Sequence, residues 1–249
     1  MCTLILAYRV FDDAPVFLAS NRDELLSRPS SPPQLWPHVP GQRSTRFAAP
    51  RDEQAGGTWL GVNEWGVVVA ITNRFGDPRD GSRRSRGRVV VEALQERYAA
   101  VAADGIAALD PAAFNPFHLL IADAQSAHVV WSDGATMHRE DLAPGCHVVT
   151  ERSYLAAPNA RAERLEGAIA ELVDASALTR SALAELLRQR TVGDIDSTCV
   201  LIPELSYGTR SSTLITLGDE STMQFANGAP CELPYDDHTT LLREVLARG

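Results

Sequence analysis

A chain of 249 residues with a net charge of −9 is poorly suited to nonspecific contact with nucleic acid or anionic lipid, both of which need a basic surface. All 23 basic residues are arginine, so Schiff-base chemistry and any phosphate loop built on its lysine are excluded. With 45% hydrophobic residues the chain can bury a large core, and we expect one domain over residues 1–249 with no linker dividing it.

No apolar run approaches the ~20 residues of a membrane span, and the first residues lack a basic segment and a signal-like apolar core. The expectation is a cytoplasmic protein without membrane insertion, acting on a small-molecule substrate or ligand and needing no cofactor or metal. Cys2, Cys146, Cys199 and Cys231 form no CxxC pair. They are expected as free thiols, the last three in the core.

In chain order, Thr3 to Val10 is apolar and branched, and Asp12, Asp13 and Pro15 mark a turn into a second apolar run, Val16 to Ala19. This reads as a hairpin. The proline- and serine-rich stretch Ser27 to Pro50 has no sustained period and is expected as a long ordered loop at a pocket border. Trp59 to Val62 and Gly66 to Ile71 read as a compact hairpin, with Asn73 closing its second strand. Val90, Leu94, Tyr98 and Val101 describe one apolar helix face, with a second short helix running to about Ala113.

Strands are expected at His118 to Ala122, Val129 to Ser132 and Cys146 to Thr150. The period then changes: Pro158 suits a helix start, and Leu165, Ile169, Leu172 and Val173 line one face of the helix after it. Leu183, Leu186 and Leu187 suggest another helix. Strands return at Thr198 to Ile202, Thr213 to Leu217 and Met223 to Ala226, before a terminal helix from about His238 to Ala247. Strands, helices, then strands again fit two antiparallel sheets packed together with helices outside better than a regular βαβ alternation.

Cys2 is the sharpest chemical feature. Initiator methionine is normally trimmed before a small residue, which would leave Cys2 with a thiol and a free α-amine on one carbon. An α-amine of pKa ~7.7–8.0 can accept the proton of a thiol of pKa ~8.5, so one residue supplies nucleophile and base. The plainer alternative is a cysteine that merely begins a buried strand.

Asn21, Arg22, Asp23 and Glu24 follow the second strand of the hairpin, whose end lies near the start of the first. Asp23 can therefore hold the α-ammonium, and a nearby guanidinium would favour thiolate. Equally, Asn21 could cap a short helix carrying Asp23 and Glu24 in its first turn. Asn73 could donate to the oxyanion of a tetrahedral intermediate or simply satisfy a turn. Arg210 could orient the site carboxylate or a substrate acid, or be an ordinary surface arginine. Asn21, Arg22 and Trp59 are the expected substrate-contacting residues. No HExxH, GxSxG or GxGxxG occurs, and Cys146 and His147, adjacent in a strand, face opposite sides and make a poor chelate.

Cys2-Thr3-Leu4, Asn21-Arg22-Asp23-Glu24, Gly56-Gly57-Thr58-Trp59-Leu60-Gly61, Thr72-Asn73-Arg74, Ser85-Arg86-Gly87 and Tyr207-Gly208-Thr209-Arg210 together resemble the NRDE family, also called the transport and Golgi organisation protein 2 family. That family is similar to N-terminal nucleophile hydrolases of the choloylglycine hydrolase and penicillin acylase type. The resemblance implies an α+β fold, a four-layer αββα sandwich of two antiparallel sheets. It implies Cys2 as nucleophile, Asp23 as the carboxylate holding the amine, Asn73 as oxyanion donor and Arg210 as the late arginine. The implied activity is cleavage of a non-peptide carbon–nitrogen bond through a Cys2 acyl-enzyme. The alternative is a non-catalytic carrier of haem or an acyl-CoA-like lipid, with free cysteine and histidine as ligands. Two departures stand out: Thr150 is followed by Glu151 where those hydrolases have an asparagine, and Ser20 falls where their early arginine stands, Arg22 lying two positions later. A negative Glu151 beside a developing oxyanion would oppose it.

Overall fold

The computed structural model describes residues 2–36, 45–76 and 79–247. The chain divides into two compact units, one of Met1–Arg28 with Pro144–Asp237, the other of Pro29–Ala143 with His238–Gly249.

The first unit is built on a fully antiparallel sheet of β1 (Cys2–Phe11), β2 (Ala14–Leu25), β10 (Gly145–Thr150), β11 (Leu201–Ile202), β12 (Tyr207–Leu217), β13 (Thr222–Ala226) and β14 (Asp236–Asp237). Its order is β10-β1-β2-β12-β13-β14, with β11 also pairing β12. β1 and β2 are the predicted hairpin, but β2 continues through the polar quartet to Leu25. The cap-and-helix alternative for Asn21 therefore does not occur.

Alternation along the strands gives this sheet two faces. Ile5, Ala7, Phe17, Ala19 and Leu214 point to one and form a core with Leu165 and Ile169 of α3 (Ala160–Asp174) and Leu183, Leu186 and Leu187 at α4 (Arg180–Leu186). Asn159 and Thr179 cap the two helices, each side chain accepting from a first-turn N–H. Val173 instead lies outside the apolar stripe, 53% exposed.

The second unit holds an antiparallel meander, in the order β3 (Ser30–Leu35), β4 (Phe47–Asp52), β5 (Leu60–Asn63), β6 (Val68–Asn73), β7 (Phe117–Ala122), β8 (Ala127–Ser132) and β9 (Met137–Asp141). Helices α1 (Gly87–Ala93), α2 (Ala99–Ala107) and α5 (Thr239–Leu246) complete it. The proline- and serine-rich stretch expected as a loop thus carries β3 and β4. Backbone pairing overrides its weak pattern, with Pro32 and Pro33 sitting where the β3–β4 register shifts. Residues 37–44 of that stretch lie outside the described residues.

The single helix expected from Val90 to Val101 is two, broken after Leu94. The Nδ2 of buried Asn63 donates to the carbonyls of Leu94 (3.1 Å) and Glu96 (2.8 Å) at the break. Beyond it the phase changes: Ala99, Ala102, Ala103 and Ile106 are buried, whereas Tyr98 and Val101 are exposed.

The cysteine expectation also needs correction. Cys199 and Cys231 form a disulfide across 32 positions, with Cα atoms 6.5 Å apart, and only Cys2 and Cys146 are free. Spacing could not show this, because the two meet through the β12–β13 ribbon and its flanking loops. No helix among the described residues is long and apolar enough to cross a membrane.

Candidate active site

Cys2 opens β1 directly opposite Arg22 of β2, which in turn stands opposite Ser211 of β12. Since Thr3, Ile5 and Ala7 share the helix-bearing side of the sheet, parity sends Cys2 to the other side with Leu4 and Leu6. The same parity brings Ser20, Arg22, Ser211 and Thr213 to the Cys2 side. All four are buried, and the Ser211 and Thr213 hydroxyls have no hydrogen-bond partner among the described residues. A row of polar groups thus lines an otherwise apolar sheet beside the sulfur.

Burial pushes the Cys2 thiol above its ordinary pKa. The positive chain terminus, the Asp23 backbone N–H and the Arg22 guanidinium pull it back, and the Asp23 carboxylate adds to the rise.

The Asp23 carboxylate points to the helix side and is fully buried. Thr209, opposite it on β12, donates its hydroxyl to Oδ1 at 2.8 Å and accepts the Val200 N–H at 2.8 Å. Arg161 of α3 donates from Nη1 to Asp23 Oδ2 at 3.4 Å and to Thr3 Oγ1 at 3.1 Å, while its Nη2 reaches the Ile195 carbonyl. The same Nη1 lies 3.6 Å from Glu151 Oε2, and the partly exposed Arg152 stands 3.7 Å from Glu151 Oε1. Tyr207 donates its hydroxyl to the Asp23 carbonyl at 2.9 Å. Burial raises the Asp23 carboxyl to about 6 despite the opposing pull of Arg161, the chain terminus and Thr209, with Glu151 adding to the rise. Burial, then the Asp23 charge, raises the Tyr207 phenol as well.

β12 reaches this cluster through a bulge. Thr209 faces Asp23 and Ser211 faces Arg22, so Arg210 is an extra residue between two consecutive residues of β2. Its Nε is buried without a hydrogen-bond partner among the described residues. Gly208 is required just before, since a Cβ there would meet the Val200 carbonyl oxygen at 2.7 Å.

The sequence-derived residues thus distribute as follows. Cys2, Arg22, Asp23 and Arg210 come together where β1, β2 and β12 adjoin. Asn21, expected at the substrate, lies on the helix side: its Nδ2 donates to the Leu187 carbonyl (2.9 Å) and the Thr198 carbonyl (2.8 Å), tying α4 and the Cys199 loop to β2.

Asn73 and Trp59 belong to the second unit. Asn73 is exposed at the end of β6, opposite Phe117, and its neighbour Arg74 donates its backbone N–H to the Pro116 carbonyl. Trp59 is buried and its carbonyl accepts the Ile71 N–H. The glycine motif around it has a packing reason, because a Cβ on Gly57 would meet the Gly87 backbone at 2.9 Å.

Arg161 escaped the sequence reading, and no role was expected of Thr209 or Tyr207. Arg161 had a signal: it precedes Leu165 and Ile169 by one and two four-residue steps, which puts an arginine on the buried stripe of a helix. Tyr207 and Thr209 stood in the Tyr207–Arg210 motif, where only Arg210 was given a role. Glu151, a warning in the sequence, faces a buried cation. Among the described residues no group of three or more histidine, cysteine or acidic side chains could hold a metal ion.

Comparison with known proteins gives the family and the fold. Human Transport and Golgi organization protein 2 homolog is 31% identical over 126 residues, covering 47% of this chain and 44% of its own. The chain spans about half the length of the curated relatives it matches. Two solved structures are similar at low identity. The Caenorhabditis elegans ortholog of N-acylethanolamine-hydrolyzing acid amidase gives a TM-score of 0.59 at 14% identity, covering 86% of this chain and 92% of that one. The C2A mutant of conjugated bile acid hydrolase from Clostridium perfringens gives 0.59 at 11%, covering 96% and 93%. These likenesses show the fold, an α+β arrangement with two antiparallel sheets of the N-terminal nucleophile hydrolase kind. The profile for Transport and Golgi organisation 2 matches residues 1–229, and the chain belongs to that family.

Proposed function

We propose that the protein is an N-terminal cysteine hydrolase that cleaves a non-peptide amide bond. The observation carrying this reading is the placement of Cys2 at the first position of β1, facing Arg22, with the Asp23 carboxylate held on its other flank by Thr209 and Arg161. In a mature chain beginning at Cys2, the α-amine accepts the thiol proton as Sγ attacks the substrate carbonyl carbon. The tetrahedral intermediate collapses by breaking the carbon–nitrogen bond, and the same proton passes to the leaving amine. Water, deprotonated by the freed α-amine, then breaks the thioester, releasing the acid and the Cys2 thiol. Arg22, Ser211 and Thr213 offer polar contacts on the sulfur's side of the sheet, and Arg210 is available to a polar substrate group.

The test begins with intact mass of a C-terminally tagged protein, expected to show a chain that starts at Cys2. That chain is then assayed for amine release from an N-acylethanolamine, a conjugated bile acid and penicillin V. Turnover that disappears in Cys2→Ala, with a thioester adduct on Cys2 trapped at low pH, supports the reading. A fully active protein that retains Met1, or a Cys2→Ala variant of unchanged rate, rejects it.

A further inference from the structure

Within the first unit, two buried carboxylates of separate origin converge on one buried cation. Asp23 comes from β2 and Glu151 from the residue after β10; Arg161 projects from the first turn of α3. Their side chains are 0%, 5% and 2% exposed, so water screens none of them. A lone buried acid pair would be strongly disfavoured in its doubly charged form, and a lone buried guanidinium equally so. Here Nη1 sits 3.4 Å from one acid and 3.6 Å from the other.

The hydrogen bonds show what the cation does besides neutralise. Arg161 is fixed by Thr3 Oγ1 and the Ile195 carbonyl, so it presents Nη1 to Oδ2 of Asp23 from a set direction. Thr209 fixes Oδ1 from the opposite strand. Together they leave the carboxylate one orientation, at the strand end where Cys2 begins.

We propose that Arg161 is a positioning residue: it orients Asp23 toward the α-amine of Cys2 and, with its charge set against Glu151, keeps the amine from facing two unopposed carboxylates. This rests on the reading in which Asp23 holds that amine. It also accounts for Glu151 where an asparagine is found in the hydrolases that the chain resembles. The acid is spoken for by Arg161 within the unit and by Arg152 at its outer edge, so it is part of the amine's support.

The other groups around Asp23 are the chain terminus, Thr209, Tyr207 and, on the opposite side of the strand, Cys2 and Arg22. Removing Arg161 takes a cation away from the amine and leaves two anions near it. The amine should then hold its proton more tightly and be a poorer acceptor for the thiol at neutral pH.

The absence of lysine makes the test clean, because the α-amine is the one primary amine in the chain. In a Cys2→Ala background, which removes the thiol that would ring-close with the aldehyde, the α-amine is reductively methylated with ¹³C-formaldehyde and titrated by NMR. Arg161→Met should raise its midpoint by about one pH unit or more, and Glu151→Gln added to Arg161→Met should recover most of the change. Glu151→Gln alone should lower the midpoint, which keeps the inference testable if Arg161→Met does not fold.

Superimposable titrations for Arg161→Met and parent, or for Glu151→Gln and parent where Arg161→Met does not fold, overturn the proposal. Asp23→Asn separates the two levels: if it leaves the amine's titration unmoved, the Asp23–amine contact itself is absent. If Asp23→Asn moves it and Arg161→Met does not, only the role of Arg161 fails.

Discussion

Thr209 donates its hydroxyl to Oδ1 of Asp23 at 2.8 Å, and its own Oγ1 accepts the Val200 N–H at 2.8 Å. A single side chain therefore joins β2, β12 and the loop leading from the Cys199 disulfide. Thr209→Val keeps the shape and removes both bonds, leaving a buried carboxylate oxygen and a buried amide short of partners. We expect a loss of about 2 kcal/mol or more in denaturant unfolding. The Asp23 carboxyl should also climb beyond about 6, since Thr209 is one of the groups holding it down. Thr209→Ser should restore most of both; a valine variant with parental stability would show that the hydroxyl contributes nothing.

The raised Asp23 carboxyl has a consequence for stability. In the unfolded chain it returns to its ordinary 3.8, against about 6 in the fold. Between those values the folded state binds more protons than the unfolded one, so stability falls as pH rises through the window. The penalty is absent below 3.8 and complete above about 6, where it amounts to about 3 kcal/mol. Asp23→Asn cannot titrate. The unfolding free energy of the parent minus that of the variant should therefore decline across this window and be flat on either side. Stranding Arg161 offsets the variant's curve without giving it that slope. A difference that rises with pH, or does not change, would refute the assignment.

What the sequence made legible follows the range of the interactions. The β1–β2 hairpin rests on neighbours in the chain, and its register sets Cys2 opposite Arg22, with Asp23 the next residue of β2. The α3 and α4 stripes were legible for the same reason. By contrast, the break after Leu94 is imposed by Asn63, some thirty residues earlier, whose Nδ2 engages Leu94 and Glu96 while its Oδ1 accepts the Trp65 and Val67 N–H groups. A periodicity window spanning Val90 to Val101 contains none of that. The site divides likewise: Cys2, Arg22 and Asp23 belong to one hairpin, while Arg161, Glu151 and Thr209 reach them from well over a hundred residues away. Asn21 carried the right polarity but the wrong parity for a substrate contact, and parity needs the register of β2 against β1 and β12.

The Cys199–Cys231 disulfide closes a 32-position separation that includes β11, β12 and β13. On the chain-entropy account its loss should cost about 3–4 kcal/mol. Cys199→Ser combined with Cys231→Ser should show this in denaturant unfolding, and dithiothreitol should reproduce it in the parent but not in the variant. Alkylation in denaturant without reductant should modify only Cys2 and Cys146, whereas four modified cysteines would show that the bond is absent in the isolated protein.

Gly57 and Gly87 are the points where the two glycine-containing motifs of the second unit touch. A Cβ on Gly57 would lie 2.9 Å from the Gly87 carbonyl carbon, and one on Gly87 would lie 3.0 Å from the Thr58 carbonyl oxygen. Both obstacles are backbone and cannot rotate aside, so Gly57→Ala and Gly87→Ala must separate the start of α1 from the segment that leads into β5. Each should cost about 1–3 kcal/mol by the overpacking this forces. Gly105 supplies the control: it lies inside α2, and a Cβ there meets nothing within 4 Å. Gly105→Ala should gain about 0.5–1 kcal/mol from helix propensity alone. If the three alanine variants unfolded with equal free energies, contact between the motifs could not be what makes Gly57 and Gly87 necessary.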